Sequence, residues 1–193
     1  EACRLARRAA DEYTAKTPEK PRFVAGSMGP TNKACSLATD TTQPGWHAFG
    51  YRTLTDAYAE QAEALIEGGV DVILIETIFD IENARTAVEA ARNAAHKAGR
   101  NVPIMLSFTN VNGDGVNMLG QSVEQFIDSV AGDDILSVGV NCCPDPLTAV
   151  PVLEKLGSRT GYLISLYPNA GKPDASGRYP MTPEMTQAAM WSI

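Results

Sequence analysis

The sequence lacks three features that would place it in some large classes of protein. No apolar run in its 193 residues approaches the length of ~20 residues that a membrane-spanning helix needs. Its formal net charge is −7, whereas proteins that grip nucleic acid or an anionic membrane carry a positive surface. Its four cysteines lack the even spacing of a disulfide framework. We therefore expect no nucleic-acid or membrane partner, and a location in the reducing cytoplasm.

The pattern of apolar residues predicts an α/β protein with a parallel sheet. Short apolar runs alternate with longer segments of helical period, and short links join them. The predicted strands are residues 23–25, 70–75, 102–108, 135–140 and 162–166. The first strand is followed by "GSMGPT" rather than G-x-G-x-x-G, which disfavours a dinucleotide-binding sheet. A (β/α)8 barrel is favoured, but five strands cannot close one, so the prediction is a partial barrel or an open sheet.

Polar residues are concentrated where the predicted strands end. The strand tips read "GSMGPT", "ET", "SFTN", "NCC" and "YPNAG", while the strands behind them are apolar. Functional groups of (β/α)8 barrels lie at the carboxyl ends of the strands. An alternative explanation is that loops are usually polar, whether or not they form a functional site. Glu76 favours a site, because a carboxylate that directly continues "VILI" would be buried unless it had a partner. The long loop after the first strand is predicted to cover this edge, with Trp46 as part of a lid.

Two adjacent cysteines, Cys142 and Cys143, follow the fourth predicted strand. A cysteine in this position is often a small buried apolar residue. The pair is not C-x-x-C, so thioredoxin-like redox chemistry is disfavoured. Adjacent residues point to opposite sides of an extended chain, so the two are not expected to serve one site equally. One thiolate cannot hold catalytic zinc, which takes three protein ligands, and neither His47 nor His96 is placed to complete such a site.

Four stretches together resemble a known family. In order they are "FVAGSMGPTNKACSL", "EGGVDVILIETIFDIENARTAVEA", "GVNCC" and "YPNAGKPDASGRY". They resemble the homocysteine-binding domains of cobalamin-dependent methionine synthases, a branch of the homocysteine S-methyltransferase family, from about Pro21 to the end of the chain. The resemblance implies a (β/α)8 barrel of which about strands 3 to 7 of 8 are present. Residues 1–193 would then be an internal fragment of that domain.

The resemblance also implies a set of site residues. In the family, zinc is held by three cysteines, and one of them lies in a G-x-N-C pattern that corresponds to residues 139–142. Cys142 is the implied zinc ligand, and Cys143 fills a variable position. The family's other two ligands form a Gly-Gly-Cys-Cys motif, which this sequence does not contain. Glu76 is the implied partner of the substrate ammonium group. The remaining candidate substrate-binding residues are Asn141, Ser107 and Thr109.

The implied reaction is the methylation of homocysteine. Zinc would deprotonate the homocysteine thiol and leave its sulfur nucleophilic. Methylcobalamin on another domain would supply the methyl group and methyltetrahydrofolate would restore it, giving methionine. One alternative is a homocysteine methyltransferase that uses betaine or another donor. A metal-free barrel such as an aldolase would need a lysine at a strand tip, and no tip has one. A catalytically inactive barrel fragment that serves as a binding or structural module is the third alternative.

Overall fold

The computed structural model describes residues 1–37, 51–130, 132 and 134–193. Within these residues the chain forms helices and strands in the order α1 (Ala2–Lys16), β1 (Ala25–Met28), α2 (Tyr51–Glu67), β2 (Val72–Ile78), α3 (Ile81–Lys97), β3 (Ile104–Thr109), α4 (Val123–Ser129), β4 (Ile135–Asn141), α5 (Pro146–Arg159), β5 (Leu163–Tyr167) and α6 (Pro183–Trp191). The predicted lid residue Trp46, and His47, lie outside the described residues.

The five strands form one parallel sheet in which spatial order follows sequence order, from β1 to β5. A doubly wound dinucleotide-binding sheet reverses its direction of winding at a switch point. Here every connection advances in the same direction, which is the winding of a (β/α)8 barrel. The predicted α/β class and partial (β/α)8 barrel are therefore confirmed.

The two faces of the sheet have different chemistry. On the outer face the apolar side chains pack under the helices, and the ring of Phe108 stacks on Phe126 of α4 with centroids 5.4 Å apart. The inner face is mixed. Ser107, Gly139 and Ser165 lie side by side on β3, β4 and β5, and the row before them consists of Leu74, Met105, Ser137 and Leu163. A Cβ atom on Gly139 would overlap the carbonyl oxygen of Ser165. The close approach of β4 and β5 therefore requires glycine in the G-x-N-C pattern.

Helix ends follow the local sequence. Asp145 caps α5 by accepting a hydrogen bond from the backbone N–H of Thr148, and Pro146 occupies the first turn. Helix α3 ends just before Gly99, whose φ of 62° is the left-handed conformation of a C-terminal glycine. No helix in the described part of the chain is long and apolar enough to cross a membrane.

The strand boundaries differ from the prediction most clearly in β1. The prediction placed this strand at residues 23–25, but it runs from Ala25 to Met28. Gly26 and Ser27 resemble turn residues in sequence, yet Gly26 lies against Leu65 and Val70, where a Cβ would come within 3.0 Å of the Val70 side chain. Packing therefore requires a small residue at Gly26, and pairing with β2 makes this part of the predicted loop a strand.

Candidate active site

The carboxamide of Asn141, at the end of β4, is the centre of a hydrogen-bonded cluster. Its Oδ1 accepts a bond from the Ser107 hydroxyl at 2.8 Å and one from the Thr77 backbone N–H at 3.1 Å. Its Nδ2 donates to the Thr77 hydroxyl at 2.8 Å and to the Cys142 sulfur at 3.2 Å. The cluster therefore connects the carboxyl ends of β2, β3 and β4 through one side chain.

Two members of this cluster have a left-handed backbone. Thr77 has a φ of 58° and Cys142 a φ of 57°, and they are the only non-glycine residues with positive φ in the described part of the chain. This conformation is costly for a β-branched residue and persists where surrounding contacts hold it. Thr77 also lies where the pairing of β2 with β3 shifts register, between Ile75 and Ile78. Such an irregularity redirects the side chains around it.

Glu76 lies within the same irregularity and is partly exposed. One of its carboxylate oxygens accepts a hydrogen bond from the Ser27 hydroxyl of β1 at 2.5 Å. Among the described residues no lysine, arginine or histidine forms an ion pair with it. A carboxylate positioned by a neutral hydroxyl can still bind a cationic group.

The two adjacent cysteines have different environments. Cys142 is partly exposed, and its sulfur accepts the hydrogen bond from Asn141. Cys143 is completely buried in the hydrophobic core, and burial raises the pKa of its thiol to about 11. The end of β5 fixes both residues, because the Cys142 N–H donates to the Tyr167 carbonyl and the Asn169 N–H donates to the Cys143 carbonyl.

Ser107 and Thr109 are less accessible than Glu76. Ser107 is completely buried and its hydroxyl donates to Asn141. Thr109 is 4% exposed and pairs with Asn141 in the register of β3 and β4. Both lie in or next to the cluster, and their role as substrate contacts stays a prediction. Thr77 was not among the candidates from the sequence, because its left-handed backbone has no signal in the residues "ET".

The side chains of this cluster could supply one ligand of a zinc site. A catalytic zinc takes three protein ligands and keeps one position open. Among the described residues no three His, Cys, Asp or Glu side chains are grouped so that they could hold a metal. Cys142 has the donor atom and the accessible position of a zinc ligand, so this cluster fits one ligand of a site and does not complete it.

The winding of the sheet and the position of the cluster define a barrel of the (β/α)8 type with polar groups at the carboxyl edge. A sequence model of the homocysteine S-methyltransferase family matches residues 1–192, so the chain belongs to that family.

Similar solved structures agree with this fold. The homocysteine methyltransferase MmuM from Escherichia coli, in its apo form, superposes with a TM-score of 0.65 at 24% identity, covering 86% of this chain and 56% of that one. Its metallated form gives a TM-score of 0.68 with the same identity and coverage. At this identity the likeness shows the fold alone. The present chain spans about 56% of the length of MmuM.

Proposed function

We propose that this chain is part of a zinc-dependent homocysteine S-methyltransferase domain, in which it binds homocysteine and provides one of the zinc ligands. The observation that carries this proposal is the hydrogen-bonded cluster that joins a partly exposed cysteine sulfur to the strand end bearing Glu76. Membership of the homocysteine S-methyltransferase family supports the reaction class.

Glu76 is proposed to bind the ammonium group of homocysteine. Its carboxylate is held by the Ser27 hydroxyl, and among the described residues it has no basic partner whose charge would compete with the substrate. An ammonium bound here would fix one end of the amino acid at β2. The side chain of homocysteine would then extend toward Cys142 at the end of β4.

Cys142 is proposed to hold zinc together with ligands beyond this cluster. When bound, zinc would lower the pKa of the substrate thiol and keep its sulfur nucleophilic at neutral pH. The part played by the chain is to present one thiolate at the carboxyl edge and to orient the amino acid. Cys143 has no part in this proposal, because its sulfur is buried in the core.

The methyl donor proposed is methylcobalamin carried on another domain of the longer protein, with methyltetrahydrofolate restoring it and methionine as product. The resemblance of the four sequence stretches to cobalamin-dependent methionine synthases supports this choice. The proposed location is the cytoplasm, where the four free cysteines would stay reduced. Methionine formation from methylcobalamin, with none from betaine, would support this donor, and the reverse result would assign the betaine-dependent reaction.

A calorimetric titration of the full-length protein tests the proposed function. Homocysteine should bind the zinc-loaded protein at least ~10-fold more tightly than the chelator-treated protein, since the thiolate gains a metal bond. Binding to the zinc form should also release a proton, which is detected as a heat that varies with the ionisation enthalpy of the buffer. Equal affinity in the two forms, with no proton release, would overturn the proposal. Methionine serves as the control ligand, because its sulfur has no proton to lose.

A further inference from the structure

Asn141 has no hydrogen-bonding capacity left for a substrate. A carboxamide can donate two hydrogen bonds and its oxygen has two lone pairs. All four positions are used within the protein, by Ser107, by Cys142 and twice by Thr77. The residue is also 5% exposed. A direct contact to the amino acid would require Asn141 to give up one of these buried bonds, which is costly.

Three of the four bonds hold two strained positions in place. Thr77 makes two of them, donating one from its backbone N–H and accepting one at its hydroxyl, and these favour its left-handed backbone. Cys142, whose own backbone is the second left-handed position, accepts the third at its sulfur. Glu76 and Thr77 are adjacent within β2, where the register shifts, so the conformation of Thr77 helps to fix the backbone from which the Glu76 carboxylate projects.

We propose that Asn141 is a positioning residue that fixes the Glu76 carboxylate and the Cys142 sulfur relative to each other, rather than a contact for the substrate. This inference rests on the proposed function, which says what the two groups bind, and it deepens that function. A fixed separation between an ammonium site and a sulfur site selects a thiol amino acid of one length. Asn141 therefore also determines the preference for homocysteine over cysteine, which is one methylene shorter.

Two substitutions of Asn141 in the full-length protein distinguish the roles of its individual hydrogen bonds. Asn141→Ala removes all four. Asn141→Asp keeps acceptors for the Thr77 N–H and the Ser107 hydroxyl, but it places an oxygen where Nδ2 donates to the Cys142 sulfur. Asn110→Ala is the matched control, because Asn110 is also a buried asparagine beyond a strand end and its side chain bonds the Gly115 N–H instead.

Three measurements are made on each protein: zinc affinity by competition with a chelator, the affinities for homocysteine and cysteine, and hydrogen exchange of the Thr77 amide. Asn141→Ala should weaken zinc and homocysteine binding at least ~10-fold each, the usual effect of losing a side chain that orients a metal ligand. Its preference for homocysteine over cysteine should fall, and its Thr77 amide should exchange at least ~10-fold faster. Asn141→Asp should lower zinc affinity while leaving Thr77 exchange close to wild type. Asn110→Ala should change zinc affinity, homocysteine preference and Thr77 exchange by less than about threefold.

The opposite pattern would overturn the inference. If Asn141→Ala weakens homocysteine binding but leaves zinc affinity and Thr77 exchange unchanged, Asn141 is a direct substrate contact. If Asn141→Ala fails to fold, unchanged zinc affinity in Asn141→Asp would overturn the inference instead. If the wild-type protein binds no homocysteine, the proposed function fails. Exchange of the Thr77 amide in Asn141→Ala then still tests whether Asn141 holds this strand end, and an unchanged rate would contradict it.

Discussion

At the scale of single residues, the carboxylate of Glu76 is held by one hydroxyl and has no ion-pair partner among the described residues. Glu76→Gln keeps the shape of the side chain and removes its charge. We expect homocysteine to bind more weakly by about 2 kcal/mol or more, as when one member of a buried charge pair is lost. The zinc content of Glu76→Gln should equal that of the wild-type protein, since Glu76 is not proposed as a zinc ligand. Calorimetry that gives wild-type affinity would move Glu76 to a purely structural role.

A second prediction concerns the pH dependence of stability at Tyr58. Burial, followed by the charges of Cys35 and Asp80, raises the pKa of its hydroxyl from 10.0 to about 12. The unfolded chain therefore loses this proton at lower pH than the folded protein does. The contribution of Tyr58 to stability is complete below pH 10 and is lost as the pH rises toward 12.

The comparison with Tyr58→Phe isolates this effect from other titrating groups. Between about pH 9 and pH 11, the free energy of unfolding of the wild-type protein should fall by about 1.4 kcal/mol more than that of Tyr58→Phe. Urea unfolding at the two pH values measures the difference. Parallel pH profiles for the two proteins would show that Tyr58 ionises as readily in the fold as in the unfolded chain.

The candidate site was only partly predictable from these residues. Glu76 and Cys142 could be selected because each directly follows an apolar strand, and the family resemblance gave each a role. The sequence also indicated Asn141 and Ser107 as substrate contacts, and that role stays a prediction. Their bonds to one another become visible only when β3 and β4 pair in register, since the residues lie far apart in the chain.

At the scale of the elements, the turn between β2 and α3 is joined to the loop after β1 by Asp80. This carboxylate is completely buried. It caps α3 by accepting from the Glu82 N–H at 2.9 Å, and it accepts from the N–H and the hydroxyl of Ser36 at 2.9 and 2.5 Å. Gln121, in the loop before α4, donates to the same Ser36 hydroxyl at 3.2 Å. Three loops at the carboxyl edge therefore depend on one side chain.

Asp80→Ala should destabilise the protein by about 3 kcal/mol, because it removes a helix cap and leaves the Ser36 N–H without its acceptor. Ser122→Ala is the control, since Ser122 caps α4 from a more exposed position and its hydroxyl accepts from the Gln125 N–H of the same helix. It should cost about 1 kcal/mol. Urea unfolding of both variants measures this difference. Similar losses in the two would mean that the link to Ser36 adds no stability.

The order and type of the elements were predictable because apolar periodicity reports which face of each element is buried. The position of β1 was not, because Gly26 and Ser27 have the composition of a turn and are strand residues only through their pairing with β2. The link from Asp80 to Ser36 was also hidden, since it joins positions 44 residues apart.

At the scale of the whole molecule, the sheet has two edges. Among the described residues, β1 pairs only with β2 and β5 only with β4. Strand β5 leaves apolar side chains in solvent on both faces, with Leu163 65% and Ile164 40% exposed. Unpaired strand edges and exposed apolar surface promote association.

The 193-residue chain expressed by itself should therefore associate, and it should not methylate homocysteine. Light scattering should give a mass above that of one chain of 20.6 kDa. After dialysis against a mild chelator the chain should retain little zinc, since Cys142 is not part of any group of three potential ligands in its described residues. A monomer that keeps one zinc per chain would contradict this expectation.

We propose that Cys142, and not its neighbour, provides the zinc ligand. The most direct test is the zinc content of Cys142→Ser and Cys143→Ser in the full-length protein, measured by elemental analysis after gel filtration. Serine is a poor substitute for a thiolate at a soft site. Cys142→Ser should lose the zinc and the methyl transfer, whereas Cys143→Ser should keep the zinc. Equal loss from both variants, or retention by Cys142→Ser, would contradict the account.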